Sequence, residues 1–238
     1  MAESRRNRLI ADLPDDEQAT LDSLLEDVML VSHEVIAESG SPLHWVHFPE
    51  SSMISLVTVV NGNGGIEALT VGVEGSTALP LITGSRTTFA RVVAQIPGAS
   101  RRARASEFET ALASLPELKR RLSLYSQLAW DTTAQCAACN RMHVTEERTA
   151  RWLLMSEDRA CRDEFELTQH FLSQMLGVRR PAVTVAVGML QKQGLIAHRR
   201  GRIRIVDREG LKRAACECYS LIRRREKELL GPTVVLEP

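Results

Sequence analysis

Apolar positions over residues 167–206 fall first at helical spacing and then alternate. Leu172, Leu176, Val178, Val183, Ala186 and Leu190 recur at intervals that suit two crossed helices, with small Ser173 at the crossing point. Thr168 is a natural N-cap for the first helix, which is expected to end near Leu176. Gly177 supplies the tight turn, and Pro181 fits the first turn of the second helix, where its missing N–H costs nothing. Residues 195–198 and 202–206 read as two strands joined at Arg200-Gly201. The second strand alternates Arg and Ile, so one face is buried and the other is basic. The pattern predicts a winged helix-turn-helix.

Upstream the texture differs. Residues 7–30 read as a short helical start, with Leu21, Leu24, Leu25 and Val28 at helical spacing. Short β-rich runs follow at 34–37, 43–48, 53–60, 66–71 and 90–96, separated by turn residues at 39–42, 61–65 and Pro97-Gly98. They predict a compact β-barrel or roll, with a hairpin tip at 61–65. From 106 to 142 the pattern is helical, and after Pro116 no Pro or Gly occurs until Gly177. Leu118, Leu122, Tyr125, Leu128 and Ala129 form a stripe that continues through Thr132, Thr133, Cys136, Ala137 and Cys139. A helix of about 25 residues would be about 38 Å long. It either lies on its own domain or packs on a symmetry mate through that seam, and the second is the expectation. A further helix is expected over 145–158, with Trp152, Leu153 and Met155 facing inward, followed by a polar loop up to Glu164.

Composition refines this picture. The 238 residues are 44% hydrophobic and 25% charged, as in a folded globular chain. No apolar run reaches the roughly 18 residues of a membrane span. No apolar segment follows the basic start, so a cytoplasmic protein without membrane contact is expected. Five cysteines, an odd number in a long chain, fit reduced thiols better than a disulfide framework. The formal net charge is zero but unevenly placed. Residues 1–142 hold 12 Lys/Arg and 17 Asp/Glu, whereas 143–238 hold 18 and 13. Within 167–206 there are 7 Lys/Arg and no acidic residue, as a phosphate-facing surface requires.

Candidate contacts follow from the motif. Arg179, Arg180 and Thr184 begin the second helix, the end that enters the major groove, and are the expected base readers. Thr168, Gln169 and His170 at the start of the first helix suit phosphate oxygens, as do Arg199, Arg200, Arg202 and Arg204 of the wing. Double-stranded DNA is the expected partner, with RNA polymerase a further candidate. No Ser-His-Asp grouping or phosphate-cradling glycine loop points to an enzyme. The Cys136-Ala-Ala-Cys139 pair reads as small thiols packed in a helix interface. Cys139 and His143 (i, i+4) offer one pair for zinc or haem, while Cys216 and Cys218 on a C-terminal helix would face apart, so no metal site is expected. The competing reading is a small-molecule or redox-sensing module whose winged helix contacts protein.

The stretch LTQHFLSQMLGVRRPAVTVAVGMLQKQGLIAHRRGRIRIVD resembles the DNA-binding part of Crp/Fnr family regulators, and CNRMHVTEERTARWLLM resembles that family's hinge. The resemblance covers nearly the whole chain. It implies an α+β fold: a cyclic-nucleotide-binding-like β-roll (9–112), a long dimerisation helix (113–142) and a Crp-type winged helix-turn-helix (143–230). It also implies a homodimer on near-palindromic sites under control of the N-terminal domain. Arg180 matches a guanine-reading position, but Pro181 stands where well-known members have a base-reading glutamate and Val185 where they have an arginine. The effector pocket would involve Glu74, Gly75, Arg86 and Thr87, yet no Gly-Glu pair stands at the ribose position and Thr87 takes the place of the phosphate-binding arginine. Cyclic AMP is therefore not the expected effector. An iron–sulfur cluster is not expected either, because no cysteine precedes position 136. The effector is left open.

Overall fold

The computed structural model describes residues 7–60 and 64–231. The chain begins with α1 (Asp15–Asp22), then β1 (Glu26–Leu30), β2 (Val35–Ala37), β3 (Trp45–Pro49), β4 (Met53–Val60), β5 (Gly64–Val71), α2 (Leu79–Ile82), β6 (Arg91–Ile96) and β7 (Gly98–Arg104). A short α3 (Ala105–Ala111) leads into α4 (Pro116–Met142) and α5 (Thr145–Ala160). Then come β8 (Glu164–Glu166), α6 (Gln169–Leu176), α7 (Arg180–Lys192), β9 (Ile196–Arg199), β10 (Arg202–Ile205), α8 (Arg208–Ala214) and α9 (Cys218–Leu230).

The N-terminal strands form two sheets, ordered β1-β7-β3 and β2-β6-β4-β5, around a core that includes Leu30, Val46, Phe48, Ile54, Val71 and Ala94. This is the expected roll, with two strands the pattern did not predict. Residues 26–30 are strand, not helix: Leu30 is buried beside β7, and one turn of apparent 3.6 spacing cannot outweigh five ladder pairs. β7 hid behind its arginines. Arg101 pairs with Asp22 at 2.8 Å, Arg102 with Glu26 at 2.7 Å, and the guanidiniums of Arg102 and Arg104 stack over Trp45. The expected hairpin tip at 61–65 lies partly outside the described residues, between paired β4 and β5.

α4 is 27 residues long. Its leucine stripe does not face outward. Leu118, Leu122, Tyr125, Leu128 and Ala129 are buried in the same core as the roll, and α9 is tied to its flank by Arg225–Asp131 at 2.7 Å. The leucine part of the seam expected to join two protomers is thus an internal face, whereas Ala137 from its small-residue part is exposed; one apolar stripe reads the same whether its partner is its own chain or another. A different face is exposed: Ser123, Gln127, Trp130, Ala134, Ala137 and Arg141, at alternating intervals of four and three.

α5 carries the chain from the roll to the C-terminal elements. Two buried polar contacts fix it there. Trp152 Nε1 donates to Glu67 at 2.7 Å, and Arg159 pairs with Glu74 at 2.9 Å. Gly75 has to be glycine, since a Cβ would sit 2.2 Å from the Tyr125 ring. The family resemblance implied an effector pocket involving Glu74, Gly75, Arg86 and Thr87. Instead, Glu74 is buried against α5, Arg86 is exposed and paired with Glu109 at 2.9 Å, and Thr87 is exposed. Among the described residues no helix is long and apolar enough to cross a membrane.

Candidate nucleic-acid interface

The helix pair is built by local chemistry. Thr168 Oγ1 accepts the Phe171 N–H at 3.1 Å and caps α6. Gly177 ends α6 in the left-handed region (φ +62°), and the Arg148 guanidinium donates to the Leu176 carbonyl there. Pro181 lies in the first turn of α7. Leu172, Ser173, Met175 and Leu176 of α6 bury against Val183, Val187 and Leu190 of α7, with Trp152, Leu153 and Phe165 beneath them. The pair leans on the roll: Ile66 of β5 packs under Gly177, and the His33 ring lies 4.9 Å from Phe171.

Arg179, Arg180 and Thr184 are all exposed around the N-terminal end of α7. Gln169 Oε1 accepts from Thr184 Oγ1 at 2.7 Å, so Gln169 of α6 orients a side chain of α7 instead of standing free. Thr168 and His170 are exposed at the start of α6. Val185 and Met189, on the same outer face as Thr184, were missed as candidates although they are 61% and 45% exposed. The available signal was their spacing: both stand off the core stripe of Val183, Ala186, Val187 and Leu190.

The wing is a three-stranded sheet, β8-β10-β9, not two strands. In β10, Ile203 and Ile205 are buried and Arg202 and Arg204 exposed, as the alternation requires. Arg200 (φ +50°) and Gly201 (φ +76°) make the tight turn between β9 and β10. β8 lay in what read as a polar loop, and it changes the local charge. Arg202 faces Glu164 at 3.4 Å and Glu166 at 3.2 Å, so the acid-free segment acquires acidic neighbours in space. Among the described residues, Arg179, Arg180, Arg199, Arg200 and Arg204 have no carboxylate partner. Five exposed cations of the helix start and the wing thus remain without a carboxylate partner among the described residues.

A sequence model described as the Crp-like helix-turn-helix domain matches residues 147–214, which span α5 to α8. The chain carries a Crp-like helix-turn-helix domain. No curated protein sequence matches the chain. Solved structures match across both the roll and the Crp-like domain. FixK2 from Bradyrhizobium japonicum is 16% identical over 81% of this chain and 98% of its own, with a TM-score of 0.67. A CRP-family transcriptional regulator from Thermus thermophilus is 15% identical, over 79% and 96%, with a TM-score of 0.64. CLP, a c-di-GMP-responsive global regulator from Xanthomonas campestris, is 10% identical, over 81% and 99%, with a TM-score of 0.59. The chain therefore has the Crp/Fnr fold: β-sheet region, long helix, and Crp-like domain.

Proposed function

We propose that this chain is a sequence-specific transcription regulator that binds double-stranded DNA as a homodimer, under control of its N-terminal roll. The observation that carries the reading is the outer face of α7 and the wing. It presents two arginines at a helix start, an oriented threonine, exposed Val185 and Met189, and unpaired Arg199, Arg200 and Arg204. Arg179 and Arg180 suit guanine edges, and Thr184 and Val185 suit a thymine methyl. His170, Arg199, Arg200 and Arg204 suit phosphates, while Thr168 is committed to its cap, Gln169 to Thr184 and Arg202 to Glu164 and Glu166. Residues 9–112, 113–142 and 143–230 act as roll, dimer helix and DNA-binding unit. The dimer forms on the exposed 4-3-4-3-4 face of α4, where Trp130 is 71% exposed. Control reaches α5 through Glu67–Trp152 and Glu74–Arg159, the contacts by which the roll holds it.

The test is selection of bound sequences from a random duplex pool with wild-type protein and Arg180→Ala. The variant should lose preference at one base pair per half-site, worth about 1–3 kcal/mol each. An unchanged selected site rules out this recognition-helix assignment. No binding to duplex DNA at low salt, in reduced and oxidised samples alike, favours a protein-contact role for the wing instead.

A further inference from the structure

Four groups meet at the junction of α4, α8 and α9. Cys139 and His143 stand one turn apart at the end of α4. Cys216 and Cys218 look from the sequence like neighbours on one helix, pointing apart. The helix is broken there: α8 ends at Ala214 and α9 starts at Cys218, so Cys216 belongs to the connecting turn. The break turns both sulfurs toward α4. Cys139 Sγ and Cys216 Sγ are 3.5 Å apart, Cys218 Sγ and His143 Nδ1 are 3.7 Å apart, and all four donor atoms lie within 4.8 Å of one another. Tetrahedral zinc with bonds of about 2.3 Å to sulfur and 2.0–2.1 Å to nitrogen has donor–donor edges of roughly 3.5–3.8 Å. The quartet needs only about an ångström of adjustment to reach that geometry.

The surroundings supply what such an ion needs. His143 turns Nε2 to the Glu217 carboxylate at 3.2 Å, leaving Nδ1 toward the sulfurs. Gln135 Nε2 donates to Cys218 Sγ at 3.1 Å, and Arg151 donates to neighbouring Cys136 at 3.1 Å. Arg148 and Arg151 are buried on this side, and among the described residues neither forms an ion pair with a carboxylate, although Glu67 attracts Arg151 at longer range. The Nε atoms of both are buried without a hydrogen bond. Buried guanidiniums require counter-charge, and a site of three thiolates and one divalent ion carries a net single negative charge.

We propose that Cys139, His143, Cys216 and Cys218 bind one divalent ion of the zinc class, which clamps the α8–α9 turn to the end of α4. Three thiol protons leave to the buffer as three metal–sulfur bonds form, and neutral His143 supplies the fourth ligand through Nδ1. His143 ends α4 immediately before α5, so the clamp also fixes the junction at which the Crp-like domain leaves the long helix. Cysteine softness and a closed four-ligand set favour zinc over magnesium or calcium.

The experiment titrates the reduced, metal-free full-length chain with Co(II), then with Zn(II). Expected are one Co(II) per chain, the intense visible and thiolate charge-transfer bands of tetrahedral sulfur-rich cobalt, and their loss on adding zinc. Glu217→Gln should weaken uptake 10–100-fold. Cys218→Ser should abolish the tetrahedral spectrum, whereas Cys161→Ser, outside the quartet, should leave it unchanged. If Cys218→Ser fails to fold, the wild-type titration still decides. The proposal is overturned if reduced wild-type chain shows no such bands at stoichiometric Co(II). It is also overturned if the bands survive removal of both Cys216 and Cys218, or if the pair Cys139 and Cys216 is recovered as a disulfide and takes up no metal once reduced.

Discussion

Removing both sides of the Glu74–Arg159 pair should destabilise the chain much less than the two single removals summed. The two side chains are 5% and 7% exposed, with Arg159 Nε and Glu74 Oε1 2.9 Å apart. Glu74→Gln keeps shape but leaves Arg159 without its nearest carboxylate. Such a loss costs about 3–5 kcal/mol. The lower end is expected here, because the Thr70 carbonyl accepts from Arg159 at 3.2 Å and the Glu226 carboxylate also attracts it. At roughly 2–4 °C per kcal/mol for a chain of this size, the melting temperature should fall by about 6–12 °C. Arg159→Met behaves differently with pH. Burial already pushes the Glu74 carboxyl upward against the pull of Arg159, and without Arg159 it rises further. A group whose folded pKa lies above its unfolded value contributes stability at low pH and loses it as pH rises. Arg159→Met should therefore regain stability as pH falls from 7 towards 5, and Glu74→Gln should not. The double variant Glu74→Gln/Arg159→Met should lose much less stability than the two single variants summed, giving a large non-additive term. Thermal unfolding of the four proteins at both pH values reads all of this. A Glu74→Gln shift below about 2 °C, or additive single variants, would refute the reasoning.

Three further outcomes are expected. Glu164→Gln with Glu166→Gln frees Arg202, so DNA affinity should rise and the salt slope steepen by up to about 0.9 for each added phosphate contact, read by binding at two or more salt concentrations. Trp130→Glu places a charge on the exposed α4 face, so sedimentation should show a shift toward monomer with the far-ultraviolet spectrum unchanged, because Trp130 has little packing within its own chain. Burial, helped by Arg102, holds the His47 imidazole down to about 3. Unfolding then takes up a proton between pH 6.5 and about 3, so this group's contribution is complete above pH 6.5 and falls by about 1.4 kcal/mol per unit below it. His47→Gln should flatten acid denaturation measured across that window.

Residues 167–206 were legible because their structure is decided locally. A threonine cap, a left-handed glycine, a helix-starting proline and an Arg-Ile alternation each act within a few residues, and the structure realises all four. The elements that went unread depend on distant partners. β7 needed the acids of β1 and the Trp45 ring to account for its arginines, and β8 needed β10. Glu74 has nothing in its neighbourhood to announce Arg159, 85 positions away in the chain.

Local sequence is enough to specify two helices and a basic wing, and to set Arg179, Arg180 and Thr184 at one end of α7. Backbone capping and hydrophobic periodicity operate over the few residues that make one element, so they survive without tertiary information. Long-range packing sets which cations stay free, which face of α4 is left open, and the meeting of Cys139 and His143 with the distant Cys216 and Cys218 in one cluster. Those are properties of groups brought together by packing, and Coulombic pairing, burial and metal-ligand geometry depend on distance in space and not on separation along the chain.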